Sequence, residues 1–262
     1  MSRLPLTFAC GSLTLAGTLD TAPGKTGLLI VSGGNEIRAG AFSGQARLAK
    51  SIAKAGFPVF RFDRRGVGDS EGENRGFRSS AKDIASAREA FRALAPEVDR
   101  VIAFGNCDAA SALMLTGGEG FDGLILSNPW TIEDEEDDAP GDLPPAAIRE
   151  RYAQKLKDPR QLKRLLSGEV NLGKLARGLF KASQTAPKQT TGLAEEIQAG
   201  LETFHGPVSI LLAGADRTAR VFSENWPTDD PRIQRCQGAG HAYVEPEHQA
   251  WLEAQILAAL RA

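Results

Sequence analysis

Apolar residues along this chain change their spacing in a repeating cycle. LPLTFA and SLTLAGTLD alternate polar and apolar positions at the period of a strand, and Gly11 joins them, which predicts an antiparallel pair. TGLLIVS follows as a continuous apolar run, the pattern of a strand covered on both faces. From Phe42 to Ala55 the apolar positions take helical spacing, Gly56 closes the helix, and FPVFRFD gives the next strand. The amphipathic stretch SSAKDIASAREAFRALA predicts a helix with Ser79 or Ser80 as its N-cap. RVIAFG then reads as strand, DAASALMLTG as helix and FDGLILSN as strand. Strand and helix in strict alternation predict an α/β chain with a doubly wound, mostly parallel sheet.

The regularity stops after Pro129. EDEEDDAPGDLPP is acidic and broken by proline, whereas the stretch from Arg149 to Lys188 is rich in Lys and Arg and carries only helical patterns. Residues 131–205, from Thr131 to His205, therefore read as an inserted cap within one domain spanning 1–262. Its basic residues are either a solvated surface or a holder for an anionic part of a substrate. Alternation resumes with PVSILLAG, a short helix near TARVFSEN, a strand at PRIQRC and a terminal amphipathic helix, PEHQAWLEAQILAALRA.

Composition narrows the function classes. The 262 residues are 42% hydrophobic and 24% charged, enough to bury a substantial core, and a formal charge of -2 gives no reason to expect nucleic acid as partner. Cys10, Cys107 and Cys236 are an odd number at wide spacing with no metal-ligand neighbours, so neither a metal site nor a disulfide framework is expected, and a reducing compartment suits them. The first twenty residues lack the apolar stretch of a signal peptide, and no segment is long enough to span a bilayer. The expected location is the cytoplasm.

One junction carries chemistry. Gly105, Asn106, Cys107, Asp108 and Ala109 lie where an apolar strand meets an alanine-rich helix. They resemble the nucleophile elbow G-x-S-x-G of the α/β-hydrolase superfamily, with Cys in place of Ser and Ala in place of the last Gly. The central residue of such an elbow sits in a strained turn, so its neighbours must be small. The helix N-terminus favours a thiolate, which the carboxylate of Asp108 opposes. The bland alternative is that Cys107 is an inert buried thiol.

The resemblance to α/β hydrolases implies the chain order nucleophile, acid, histidine. Asp216, just past the seventh strand in VSILLAGADRTA, and His241, in the glycine-rich loop GAGHAY past the eighth, occupy those positions. Asp216 reads equally well as the cap of the helix that follows it. His205 precedes a strand and His248 falls within the terminal helix, so both read as structural or solvated. The implied oxyanion hole takes the backbone N–H of Asp108 and one from Gly34, with Asn35 the next choice; Ser32 stands where many relatives carry His. FDRRGVGDSEG is similar to the D-x-R-G-x-G-x-S segment after the fourth strand of many α/β hydrolases. It lacks the helix a dinucleotide site requires, so no cofactor is expected, and Asp63, Arg64 and Arg65 read as turn-building residues.

Together VSGGNEIRAG, FRFDRRGVGDSEG, FGNCDAASAL, GADRTA and GAGHAY resemble the exosortase A system-associated hydrolases of type 1. That bacterial α/β-hydrolase family is linked with exopolysaccharide and PEP-CTERM protein-sorting loci. The resemblance spans nearly the whole chain and is weakest in the cap. It implies an α/β-hydrolase fold, an eight-stranded mostly parallel sheet flanked by helices with a helical cap after strand 6. It also implies hydrolase chemistry of unsettled substrate, and the expected partner is a small-molecule acyl substrate. A cysteine nucleophile suits esters and thioesters, through a Cys107–His241–Asp216 triad and an acyl-thioester intermediate. The rival expectations are an acyltransferase using the same acyl-enzyme and a binding protein that kept the fold without catalysis.

Overall fold

In a computed structural model of the chain, residues 2–132 and 192–262 are described. Eight strands run β1 (Arg3–Cys10), β2 (Leu13–Asp20), β3 (Thr26–Val31), β4 (Val59–Phe62), β5 (Arg100–Asn106), β6 (Gly123–Ser127), β7 (Val208–Ala213) and β8 (Ile233–Cys236). They form one sheet in the order β1-β2-β4-β3-β5-β6-β7-β8. β1 pairs antiparallel with β2, and β2 antiparallel with β4; every other pairing is parallel. This is the α/β-hydrolase fold with its mostly parallel eight-stranded sheet.

The continuous apolar runs follow from the two layers. Along β3, Leu29 and Val31 point into one core cluster, while Leu28 and Ile30 point into the other. Along β5, Val101 and Ala103 alternate in the same way with Ile102 and Phe104. A strand buried on both faces has no position at which a polar residue is solvated. Among the described residues, helices α1 (Gly44–Lys54) and α6 (Pro246–Arg261) cover one face. On the other lie α2 (Ala81–Leu94), α3 (Asp108–Leu115), α4 (Gly192–Glu202) and α5 (Arg217–Glu224). None of the helices among the described residues is long and apolar enough to cross a membrane.

β3 and β5 are neighbours, and the chain leaves β3 toward β4 through α1 on one face and β5 toward β6 through α3 on the other. That is a topological switch point, where loops at the carboxyl ends of the strands open a crevice. The loops carrying Gly34, Cys107, Asp216 and His241 all leave strands β3, β5, β7 and β8 at this edge.

The described residues bear on two of the expectations. The chain divides into Met1–Ile132 with Thr190–Ala262, and Glu133–Gln189. Most of the cap expected over 131–205 lies outside the described residues. Its final part belongs to the main body, because Leu193, Ile197 and Leu201 bury one face of α4 in the core beside α3. At Gly200 the helix comes so near that an added Cβ would lie 2.2 Å from the Met114 carbonyl oxygen. At α2 Ser80 takes the N-cap position, one of the two expected, although neither serine caps with its side chain. The Ser79 hydroxyl donates to the Gly76 carbonyl, and the Ser80 hydroxyl accepts from Arg64 Nη1 at 3.1 Å.

Candidate active site

Cys107 stands between the end of β5 and the start of α3 at φ 62°, ψ -129°, a conformation that costs a non-glycine residue of order 1–3 kcal/mol. The turn is held on both sides. Its N–H donates to the Ser127 carbonyl at 2.9 Å, and its carbonyl accepts from the N–H groups of Ala110 and Trp130. Such over-determination lets the strain persist and leaves the thiol half-buried rather than walled in. Gly105 is required by space, since an added Cβ would lie 2.7 Å from the carbonyl carbon of Ala109 in α3. Gly105→Ala should therefore push α3 off β5 and destabilise the protein by about 1–3 kcal/mol, measurable by chemical denaturation.

The other two residues meet it at the same edge. His241 Nδ1 lies 2.9 Å from Asp216 Oδ2, and the Cys107 thiol acts electrostatically on the same imidazole. Hydrogen bonding from Asp216 first, and from Cys107 second, pushes the imidazole pKa up to about 10 against the opposing effect of burial. The two readings of Asp216 coexist, because Oδ2 also accepts the Ala219 N–H at 3.1 Å and caps α5. Backbone bonds from Gly214 to Cys236 and from Ala215 to Ala239 tie the acid loop to the histidine loop.

Sequence reading missed two asparagines that hold this histidine. Asn106 Nδ2 and Asn128 Nδ2 each donate to the His241 carbonyl at 3.4 Å, and Asn128 Nδ2 also donates to Asn106 Oδ1 at 2.9 Å. Asn128 is fully buried at φ 44°, and its Oδ1 accepts the Ala213 N–H from the end of β7. Below them the Tyr243 hydroxyl pairs with Ser127 Oγ at 3.1 Å, and burial raises the phenol to about 12, so it stays neutral. The signal lay in FDGLILSN, where an apolar strand ends on two polar residues with nothing nearby in sequence to satisfy them.

The proposed oxyanion donors meet, though not as an open pair. Asp108 supplies the first N–H of α3, which has no intrahelical acceptor. The Gly34 N–H, however, donates to the Asp108 carboxylate itself, with Oδ1 at 2.6 Å. Arg64 completes the knot, its Nη2 lying 2.5 Å from the Gly34 carbonyl and 3.2 Å from Asp108 Oδ2. Arg64 is thus more than a turn residue, whereas Asp63 and Arg65 stay structural, pairing with Arg38 and Asp83. Asn35 is exposed and its Oδ1 accepts from Asn74 at the surface. His248 pairs with Glu245 at the start of α6, away from Cys107. A cavity of about 260 Å³ opens beside His241 on the α1–α6 side, with Leu48, Phe104, Asn106, Tyr243 and Leu252 among its walls.

The arrangement has known counterparts in fold. It is similar to alpha/beta hydrolase GrgF from Penicillium sp. sh18, at 17% identity over 98% of this chain and 97% of that one, with a TM-score of 0.64. The Pyrococcus furiosus esterase Pf2001 matches at 15% identity over 99% and 91%, with a TM-score of 0.63. The thioesterase domain from the curacin biosynthetic pathway matches at 12% identity over 98% and 100%, with a TM-score of 0.56. Curated protein sequences give no match. The family model for the alpha/beta hydrolase family matches residues 28–255, nearly the whole chain, and the protein belongs to that family.

Proposed function

We propose that this protein hydrolyses an ester or thioester through Cys107, His241 and Asp216. What supports the reading is the imidazole of His241, paired with the buried Asp216 carboxylate and electrostatically coupled to a thiol on a strained strand-to-helix turn. In the reactive form the Sγ proton is carried by His241 Nε2, and the thiolate adds to the acyl carbonyl to give a tetrahedral oxyanion beside the imidazolium. Collapse breaks the bond to the leaving alkoxide or thiolate, which leaves with the proton from the imidazolium. Water, deprotonated by His241, then cleaves the acyl thioester and restores the thiol. The esterase and thioesterase structures named above support this chemistry as fold relatives.

The narrower likeness to exosortase A system-associated hydrolases adds a setting to the proposal, a bacterial cytoplasm. The three free cysteines fit a reducing compartment. The test is product analysis with acyl thioesters and p-nitrophenyl esters, with and without amine, alcohol and thiol acceptors. Free acid as the main product across the panel supports hydrolysis. Acyl-acceptor product in excess of free acid would make the protein an acyltransferase, and no turnover of any substrate would favour a binding role.

The raised imidazole sets a pH signature. A histidine whose pKa stands near 10 keeps its proton well above neutrality, so the imidazolium needed to protonate the leaving group is lost only as pH rises through about 10. We expect kcat/KM to fall on the alkaline side there. Asp216→Asn removes the largest cause of the shift, so that limb should move down toward the ordinary histidine value of ~6.5. An alkaline limb unmoved by Asp216→Asn would contradict the assignment.

A further inference from the structure

Asp108 does something the triad does not require. Its carboxylate occupies the Gly34 N–H, the donor that an acyl oxygen would need, and a buried arginine holds it there. We propose that Asp108 is a specificity-determining residue: by capping the second oxyanion donor, it restricts the enzyme to thioesters over their oxygen counterparts. This rests on Cys107 being the nucleophile.

The geometry places the cap over the reacting atom. A point one bond out from the Gly33 Cα lies 3.0 Å from Asp108 Oδ1 and 3.4 Å from the Cys107 Cβ, so the Gly33–Gly34 turn packs directly on the nucleophile's own side chain. The cap is also fixed. Arg64 is 4% exposed, and through Nη2 it joins the Gly34 carbonyl to Asp108 Oδ2, while Nη1 holds Ser80. Charge-assisted bonds of this kind are about twice as strong as neutral ones, so the carboxylate does not swing away freely.

The chemical consequence follows. With Gly34 engaged by a carboxylate that Arg64 pairs, the tetrahedral intermediate has the Asp108 N–H as its remaining backbone donor. One oxyanion donor is worth about 10²–10³ in kcat. A thioester tolerates this loss, because its carbonyl is less stabilised by resonance and attack by a thiolate exchanges one carbon–sulfur bond for another. An alkyl ester does not, because the thiolate must expel a poorer leaving group, the alkoxide, and the barrier leans on oxyanion stabilisation. The capped site therefore discriminates by leaving-group chemistry and not by shape.

The experiment compares S-butyryl-N-acetylcysteamine with its oxygen isostere, which differ by one atom, in the wild type, Asp108→Ala and Asp108→Asn. In the wild type we expect thioester kcat/KM to exceed ester kcat/KM by at least about 10³. Asp108→Ala, which frees the Gly34 N–H, should raise the ester value relative to the thioester value by about tenfold or more, consistent with one donor regained. Asp108→Asn keeps an oxygen on the Gly34 N–H without the charge and should narrow the ratio less. It also serves if the alanine variant does not fold. A ratio unchanged in a folded variant, or both substrates shifting by one factor, overturns the proposal. Intact mass after mixing wild type with the thioester separates the two layers. A Cys107 acyl adduct with an unchanged ratio refutes the cap alone, and turnover with no Cys107 adduct refutes the nucleophile and the cap together.

Discussion

Cys107→Ala is expected to lose all measurable acyl-enzyme formation and turnover while keeping the fold. The side chain is half-buried at a turn and contributes no packed core, and the bonds that hold the turn run through its backbone. Removing Sγ leaves His241 and Asp216 with no atom to activate. Stability should stay within about 1 kcal/mol of the wild type, since the φ of 62° is equally costly for alanine. Cys107→Gly extends the argument. It should be equally inactive yet more stable by about 1 kcal/mol, because glycine occupies positive φ without steric penalty. Equilibrium denaturation with a turnover assay checks both statements. Full activity in Cys107→Ala, or a lower midpoint for Cys107→Gly than for Cys107→Ala, would contradict this account of the turn.

The second large effect is expected at Asn128, which carries no chemistry. Asn128→Ala strips the acceptor from the buried Ala213 N–H and the donor from Asn106 Oδ1 and the His241 carbonyl. Each buried polar group left unsatisfied costs about 1–3 kcal/mol. The residue also sits at φ 44°, where asparagine is tolerated better than alanine. We expect a loss of about 3–5 kcal/mol, lowering Tm by roughly 6–20 °C for a chain of this size. The surviving folded protein should have lower kcat with little change in KM, because the histidine loop loses its anchor while the acyl site keeps its walls. A Tm within about 2 °C of the wild type would show that the network does not hold the loop.

Most of the fold is legible in the sequence because the alternation of apolar runs and amphipathic stretches is local. TGLLIVS and RVIAFG announce strands buried on both faces, and both turn out to lie at the middle of the sheet. The elbow is legible for the same reason, since Gly105 and Ala109 answer a steric demand made within five residues. What escaped is non-local. No reading of Arg64 predicts a guanidinium linking Gly34 to Asp108, because the three residues come from loops after different strands. Asn128 pairs with residues 22, 85 and 113 positions away, so nothing near it in sequence reveals its partners. The boundary of the insertion shifted because the pattern of α4 shows that it buries one face but not which body receives it.

The central claim is that Cys107 Sγ forms a covalent acyl intermediate with help from His241. The most direct measurement is peptide mapping by mass spectrometry of protein quenched within the first turnover of an acyl thioester. The account predicts an acyl mass increment on the peptide containing Cys107, absent when His241 is replaced by alanine, with Cys10 and Cys236 unmodified. An increment on another residue, or turnover that leaves Cys107 unmodified at every time point, would contradict it.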